Sequence, residues 1–311
     1  MIIERNIPLN LVRPDKPVIG RVVESVPLTQ DKSANHCRHI VFDVSNSELE
    51  RRFESGQSFG VIPNWSLKSD DRTLRLYSIA SPSKGEYGEG KAFATTVKRI
   101  IGEDNDSHRL FLGTASNYLC DLQIGDEVQI TGPIGKQMLL PDQDHRKDHN
   151  YVFVATGTGI APFRGMLIEL LESEFSGEAH LIFGVPYSTD IYYEALFRRY
   201  EEKYPNFHFY TAISREYSEN GNGRMYVQDR VLLDWGQLSG VLADPRTLMY
   251  ICGNRGMEWE IYNLLVEHGC FDYFRSIPRE LQDPERHPEA NREELLQELK
   301  PNRNRLRLEV Y

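Results

Sequence analysis

The sequence predicts two successive architectures, an antiparallel all-β domain over residues 1–148 and a doubly wound parallel α/β domain over residues 149–311. Three observations carry this. Up to about residue 148, short alternating runs are separated by Gly, Pro, Asp and Asn turns. From Tyr151 onward, continuous apolar runs alternate with segments of helical period. The polar stretch "PDQDHRKDHN" (141–150) stands between the two textures.

In the first half the runs are "HIVFDV" (39–44), "LRLYSIA" (74–80), "KAFATTVKRI" (91–100) and "DEVQITGPIG" (126–135). Short strands at this spacing predict a barrel or a sandwich. In the second half "YVFVAT" (151–156) has the unbroken apolar character of a strand covered on both faces. The following "GTGIAPFRGMLIELLESEF" places Phe163, Met166, Leu167, Leu170 and Leu171 on one helical face, and Pro162 suits a first helical turn. Then come "AHLIFGV" as strand, "YYEALFRRYEEKY" as helix, "FHFYTAIS" as strand, a Gly-rich hairpin-like loop, "LMYICG" as strand and "GMEWEIYNLLVEHG" as helix. Strands alternating with helices predict a parallel, doubly wound sheet. Residues 276–304 are rich in proline and charge. Within them "NREELLQEL" predicts a short helix with Asn291 as N-cap and Glu294 completing a capping box.

The sequence closes on "RLRLEVY", where Leu306, Leu308 and Val310 alternate with Arg305, Arg307 and Glu309. This predicts a strand with one apolar face, and period two puts Glu309 and Tyr311 together on the other. Read alone, Tyr311 caps a hydrophobic edge.

Composition narrows the function classes. The 36 basic and 46 acidic side chains leave a net charge of −10, which argues against a general binder of nucleic acid or anionic membrane. No apolar run approaches a membrane span, and the start "MIIERNIPLN" lacks a signal pattern, so a soluble, cytoplasmic and bacterial protein is expected, a mature organelle form being the alternative. Cys37, Cys120, Cys252 and Cys270 include no C-x-x-C pair, and His36 and His39 have no second ligand cluster nearby. No metal site is expected.

The chemistry starts at "TGTGIAPFRG" (156–165), which sets glycines between a buried strand and a helix start. Such a turn lets a backbone approach a phosphate while the helix N-terminus favours the anion, although many strand–helix turns use glycine for geometry alone. After the first strand of a doubly wound sheet it points to a dinucleotide.

Longer strings say more. "GQSFGVIP" (56–63), "RLYSIAS" (75–81), "GTASNYLCDLQIGDEVQITGPIGK" (113–136), "ATGTGIAPFRG" (155–165), "AISREYSENGNGRMYVQDR" (212–230), "CGNRGM" (252–257) and the final "EVY" occur in this order. Together they closely resemble the plant-type ferredoxin–NADP reductase family, over about residue 18 to residue 311. The resemblance implies an antiparallel β-barrel that binds FAD without a covalent bond, followed by a domain that binds NADP(H).

It also implies roles for particular residues. Arg75, Leu76, Tyr77 and Ser78 would meet the flavin, Arg75 on the pyrophosphate, Tyr77 on the isoalloxazine and Ser78 as a polar contact. Such a charge, ring and hydroxyl suit a phosphate and a planar ring, and an ordinary strand with an exposed Arg is the plain alternative. Thr96, Val97, Lys98, Gly113, Thr114, Ala115 and Thr156 complete the FAD set. Ser116 matches the serine near flavin N5, and serves equally as a helix cap. The NADP set is Thr156, Gly157, Thr158, Gly159, Val185, Pro186, Ser214, Arg215, Arg224, Tyr226, Gln228, Cys252, Gly253, Met257 and Glu309. Within it Ser214, Arg215, Arg224 and Tyr226 would clamp the 2′-phosphate and adenine. Glu216 and Glu219 lie close enough in sequence to raise the question of an acidic ribose ligand. Ser116, Cys252, Glu309 and Tyr311 are the implied catalytic residues, with Tyr311 stacked on the flavin where nicotinamide must later sit.

The sequence departs from the family after "VKR", where Gly102 stands in place of an aromatic residue that stacks the FAD adenine. The implied partner is ferredoxin or flavodoxin, met by a monomer through a basic patch drawn from Lys98, Arg99, Lys300, Arg303, Arg305 and Arg307. Two other readings stay open: a reductase component serving an oxygenase or other acceptor, and a non-catalytic nucleotide-binding protein on the same fold.

Overall fold

The computed structural model describes residues 7–63, 74–104, 107–217, 223–282 and 292–311. Two compact units emerge, and the chain passes between them more than once. One unit holds residues 7–140 together with Ile160–Ser173; the other holds Pro141–Gly159 and Glu174–Tyr311.

The first unit contains strands β1 (Val18–Pro27), β2 (Cys37–Asp43), β3 (Ser58–Ile62), β4 (Arg75–Ser78), β5 (Ala92–Lys98), β6 (Ile101–Glu103) and β7 (Leu110–Leu112), helix α1 (Thr114–Asp121), strand β8 (Glu127–Ile134) and helix α2 (Ile160–Leu171). Six strands form one antiparallel sheet in the order β4-β3-β8-β1-β2-β5. Its two ends meet. Just past β4, Ala80 donates its N–H to Ala94 of β5 at 2.7 Å, and Thr95 Oγ1 donates to the Ser78 carbonyl at 2.9 Å. The sheet therefore closes into a barrel, which removes its edges. Its core is aromatic: the rings of Phe42, Phe59 and Phe93 meet edge to face, Phe59 and Phe93 at 4.8 Å. β6 and β7 form a separate small hairpin.

Helix α2 belongs to this barrel unit, held there by charge as well as by packing. Arg164 donates to Glu86 Oε1 at 2.7 Å and to the Ala80 carbonyl at 2.9 Å. Glu169 Oε2 accepts from Ser55 Oγ, Ser83 Oγ and the Ser83 N–H at 2.7–2.9 Å. Gly165 is required at this contact, because a Cβ there would run into the Ser81 carbonyl.

The second unit contains β9 (Asn150–Thr156), β10 (Ala179–Val185), α3 (Glu194–Lys203), β11 (Phe207–Ile213), α4 (Val227–Leu233), α5 (Trp235–Ala243), β12 (Thr247–Gly253), α6 (Met257–Glu267), β13 (Phe274–Ser276), α7 (Arg292–Glu298), β14 (Lys300–Pro301) and β15 (Leu306–Val310). Five strands make an all-parallel sheet in the order β11-β10-β9-β12-β15. β9, β10 and β12 are covered on both faces, as their continuous apolar sequences require. Val152, Val154, Ile182, Ile251, Trp259 and Leu265 form part of the core between sheet and helices.

One expectation is corrected. Arg307 does not lie on a solvent face of β15; it is buried with its guanidinium 5.4 Å from the Tyr250 ring. A flat, weakly hydrated cation can cover an aromatic face, and this defeats simple alternation. Asn291, expected to cap α7, lies outside the described residues, while α7 itself is present.

Glu86 gives a pH test of the barrel. Burial alone would raise its carboxyl, but hydrogen bonds and charge from His39 and Arg164 overcome this and hold it well below the usual carboxylate range. Because the folded value is depressed, the stabilisation is complete above about pH 4.5 and is lost as pH falls through the acid range. Glu86→Gln is expected to cost about 2 kcal/mol at pH 7 and to flatten the acid limb, as read from urea midpoints between pH 3 and 7. An unaltered acid limb would refute the assignment.

Candidate functional site

In the parallel sheet the chain leaves β9 for β10 and β11 on one side and returns to β12 on the other. The loops after β9 and β12 thus diverge at the carboxyl edge, which is where such sheets bind ligands. The loop after β9 is Gly157–Gly159. Gly157 has φ +53° and faces open space, whereas a Cβ on Gly159 would strike the Cys252 carbonyl. The two glycines do different work, one turning the chain and the other admitting the neighbouring strand end.

Three strand ends are tied together here. Asn254 donates its N–H to Thr156 Oγ1 at 3.0 Å, linking β12 to β9. Tyr311 donates its N–H to the Gly253 carbonyl at 3.0 Å and accepts from the Arg255 N–H at 3.2 Å. Its phenol oxygen lies 2.6 Å from Thr158 Oγ1, which anchors the ring end to the glycine loop. Glu309 is the register partner of Cys252. The thiol is fully buried, and burial, reinforced by the Glu309 carboxylate, raises its pKa well above the ordinary value. Burial therefore favours the neutral thiol. Met257 opens α6 directly after Gly256, also buried.

A second cluster forms at the ends of β10 and β11. The Ser214 N–H donates to the Val185 carbonyl at 3.0 Å and the Arg215 N–H to Pro186 at 2.9 Å. Arg215, Arg224 and Tyr226 are exposed, and Gln228 is half-buried in the first turn of α4. Glu216 accepts the Ser188 N–H at 3.0 Å, so its carboxylate is engaged by the loop after β10. Glu219 lies outside the described residues. Sequence reasoning missed Tyr217, whose exposed ring sits 5.5 Å from the Arg224 guanidinium. An aromatic residue two places after a candidate phosphate-binding Arg was the available signal.

On the barrel, β4 pairs with β3 in the register Ser58↔Ser78, Phe59↔Tyr77 and Val61↔Arg75. Tyr77 is half-buried against the core, and burial raises its phenol pKa. Arg75 and Leu76 are exposed. Thr96 and Val97 are buried in β5, and Lys98 is half-exposed at its end. Helix α1 begins after Gly113 with no acidic residue in its first turn, and Thr114 and Ala115 follow. A Cβ on Gly113 would crowd Ser116 Oγ and Ile100, so the turn packs closely against both residues. Ser116 is engaged locally at the helix start. Its buried hydroxyl accepts the Ile100 N–H at 3.2 Å and donates to the Gly113 carbonyl at 3.1 Å.

Among the docking cations, Arg305 packs 4.3 Å from the Tyr273 ring and donates to the Asp244 and Thr247 carbonyls, and Arg307 is buried. Arg99 pairs with Asp121 at 2.5 Å. Lys300 and Arg303 are exposed. No group of three or more metal-ligating side chains occurs among the described residues, and none of their helices is long and apolar enough to cross a membrane.

Residues 153–261 match the family model described as an oxidoreductase NAD-binding domain. The chain is 40% identical over 260 residues to the ferredoxin–NADP reductase of Synechocystis, covering 81% of this chain and 62% of that protein. With the Spirulina ferredoxin–NADP reductase the identity is 38%, covering 81% and 87%. The chain therefore spans under two thirds of the first relative and most of the second. The solved ferredoxin–NADP+ reductase of Plasmodium falciparum superposes with a TM-score of 0.72 over 98% of this chain and 100% of that one, at 22% identity, a likeness of fold. The chain belongs to the ferredoxin–NADP reductase family.

Gly159→Ala is expected to destabilise the chain by about 1–3 kcal/mol and to weaken dinucleotide binding, measured by thermal unfolding and by NADP+ titration. Gly157→Ala should cost less in packing, since nothing crowds that position. Equal effects of the two would contradict the close approach of Gly159 to Cys252.

Proposed function

We propose that the chain is an FAD-dependent ferredoxin (or flavodoxin)–NADP+ reductase. The observation that carries this is the meeting of Thr156–Gly159, Cys252–Asn254 and Glu309–Tyr311 at one carboxyl edge. It combines a turn for the pyrophosphate with a ring, a carboxylate and a neutral thiol suited to a nicotinamide. Arg215, Arg224, Ser214 and Tyr226 supply the charge and ring for a 2′-phosphoadenosine, so NADP(H) is preferred over NAD(H).

The barrel residues fit FAD. The start of α1, with no acidic residue in its first turn, suits a pyrophosphate, with Arg75 as its counter-charge. Tyr77 and Ser78 on β4 would hold the isoalloxazine. Because the Ser116 hydroxyl is taken by Ile100 and Gly113, we assign the polar contact to Ser78 and give Ser116 the task of shaping the turn. Bound FAD would supply the exchange between hydride and single electrons. Tyr311, steadied by Thr158, occupies the nicotinamide position until NADP(H) displaces it. Glu309 orients the nicotinamide, and the buried Cys252 packs beside it.

The partner is a small electron carrier, met by local positive charge such as Lys300 and Arg303 despite the acidic total. None of the four cysteines is in a disulfide, which fits a reducing cytoplasm, and we propose that the protein works there as a monomer.

Anaerobic stopped-flow reduction of the yellow protein tests this reading. Fast bleaching by NADPH and slow bleaching by NADH are expected, with reduced flavin then reoxidised by ferredoxin. Arg215→Ala should lower the NADPH/NADH preference at least tenfold. Tyr311→Ser should tighten NADP+ binding and slow turnover. A colourless protein that rejects FAD would overturn the proposal.

A further inference from the structure

Between α6 and β15 the chain makes an excursion that supplies none of the assigned site residues. Its base is closed, because β13 and β14 pair antiparallel with Phe274 opposite Pro301 and Ser276 opposite Lys300. Within it Leu281, Leu295 and Leu299 are buried in the core of the nucleotide unit, so α7 has a fixed seat.

Arg292, the first residue of α7, reaches from this seat to the loop after β12. Its guanidinium donates to the Gly256 carbonyl at 3.0 Å. It lies 5.8 Å from the ring centre of the buried Trp259 and 3.8 Å from Glu260 Oε1. Gly256 is the N-cap of α6, with φ +93°. A cation at a helix N-terminus is opposed by the helix dipole, so the stability of α6 does not account for this one. A Cβ on Gly256 would stand 2.8 Å from Arg292 Nη2, so a side chain there would push the guanidinium away.

What Arg292 grips is the segment on which Tyr311 rests. Gly253 and Gly256, both at positive φ, bound a short loop with little conformational restraint of its own. Contacts supply the restraint. The Gly253 carbonyl accepts the Tyr311 N–H at 3.0 Å, and the Arg255 N–H donates to the Tyr311 main-chain oxygen at 3.2 Å. Asn254 is tied to Thr156. The carbonyl held by Arg292 comes one residue after the N–H that holds Tyr311.

We propose that Arg292 is a positioning residue for nicotinamide exchange: by fixing the Gly253–Gly256 loop it steadies Tyr311, and so sets how readily the nicotinamide of NADP(H) displaces the ring. The inference rests on the reading of Tyr311 given above. The excursion thus acts on the site through one guanidinium and contributes no nucleotide ligand of its own.

NADP+ and adenosine 2′-monophosphate, each titrated calorimetrically into the oxidised holoprotein, separate the outcomes, because the second ligand has no nicotinamide. Arg292→Met keeps an apolar stem against Trp259 and removes the donors. It is expected to tighten NADP+ about fivefold, the worth of one hydrogen bond, and to leave adenosine 2′-monophosphate unchanged. Arg292→Ala should behave alike. In a Tyr311→Ser background Arg292→Met should add nothing, since the ring it acts through is gone. Unchanged or weakened NADP+ binding in Arg292→Met would overturn the proposal, and an effect of Arg292→Ala alone would reduce the residue to packing. Parallel changes for both ligands would overturn it too, as general loosening of the unit. So would the same gain in the Tyr311→Ser background, which would mark an effect independent of the ring. A Tyr311→Ser protein that binds NADP+ no more tightly than the wild type would instead overturn the underlying reading of Tyr311, and is recognised before any Arg292 variant is made.

Discussion

The placement of β12 between β9 and β15 is the constraint on which the nucleotide unit depends. Parallel ladders fix which residues stand side by side at the carboxyl edge, and a slip of one residue would turn every side chain to the other face. In this register Cys252 lies between Ala155 and Glu309. Gly159 can approach the Cys252 carbonyl only because it has no Cβ, and Thr156 and Thr158 then reach Asn254 and Tyr311. The polar groups of the site are arranged by backbone geometry first and by their own hydrogen bonds second. The raised pKa of the Cys252 thiol follows from the same burial.

The barrel unit adds buried charge to its apolar core. Glu86 gathers Arg164, His39 and Ser81, and Glu169 gathers Ser55 and Ser83. Each carboxylate is surrounded by donors, the condition under which a buried charge is tolerated. These contacts lock α2 in one rotation and along one line. Apolar packing adds to this, with Ala161 against Ala80 and Ala94.

Much of this was legible in the sequence, for identifiable reasons. β9, β10 and β12 announce themselves because strands buried on both faces must be apolar throughout. α2 shows a clear 3.6-residue period beside its glycine turn. The helices α4 and α5 were not read, since they meet at Asp234, which ends one and caps the other, and this interrupts the period. The β6–β7 hairpin is illegible to burial arguments because its apolar residues are exposed. The bond from the Ile100 N–H to the Ser116 hydroxyl was not legible either, because the two residues stand sixteen positions apart. Arg305 and Arg307 looked like surface charge, yet each lies against a tyrosine ring, and nothing local in "RLRLEVY" reveals those rings.

Helix α2 follows the glycine loop of the nucleotide unit but is built into the barrel unit. The two units are therefore not separable beads on a string. A fragment cut at the polar stretch 141–150 would strip the barrel of Arg164, one partner of Glu86, and of Glu169, the partner of Ser55 and Ser83, while the remaining piece would carry a helix with its charged face bare. Evolutionary shuffling of either unit as an independent cassette is hindered for the same reason. Whatever replaced one half would have to bring a helix able to satisfy the same carboxylate and serines.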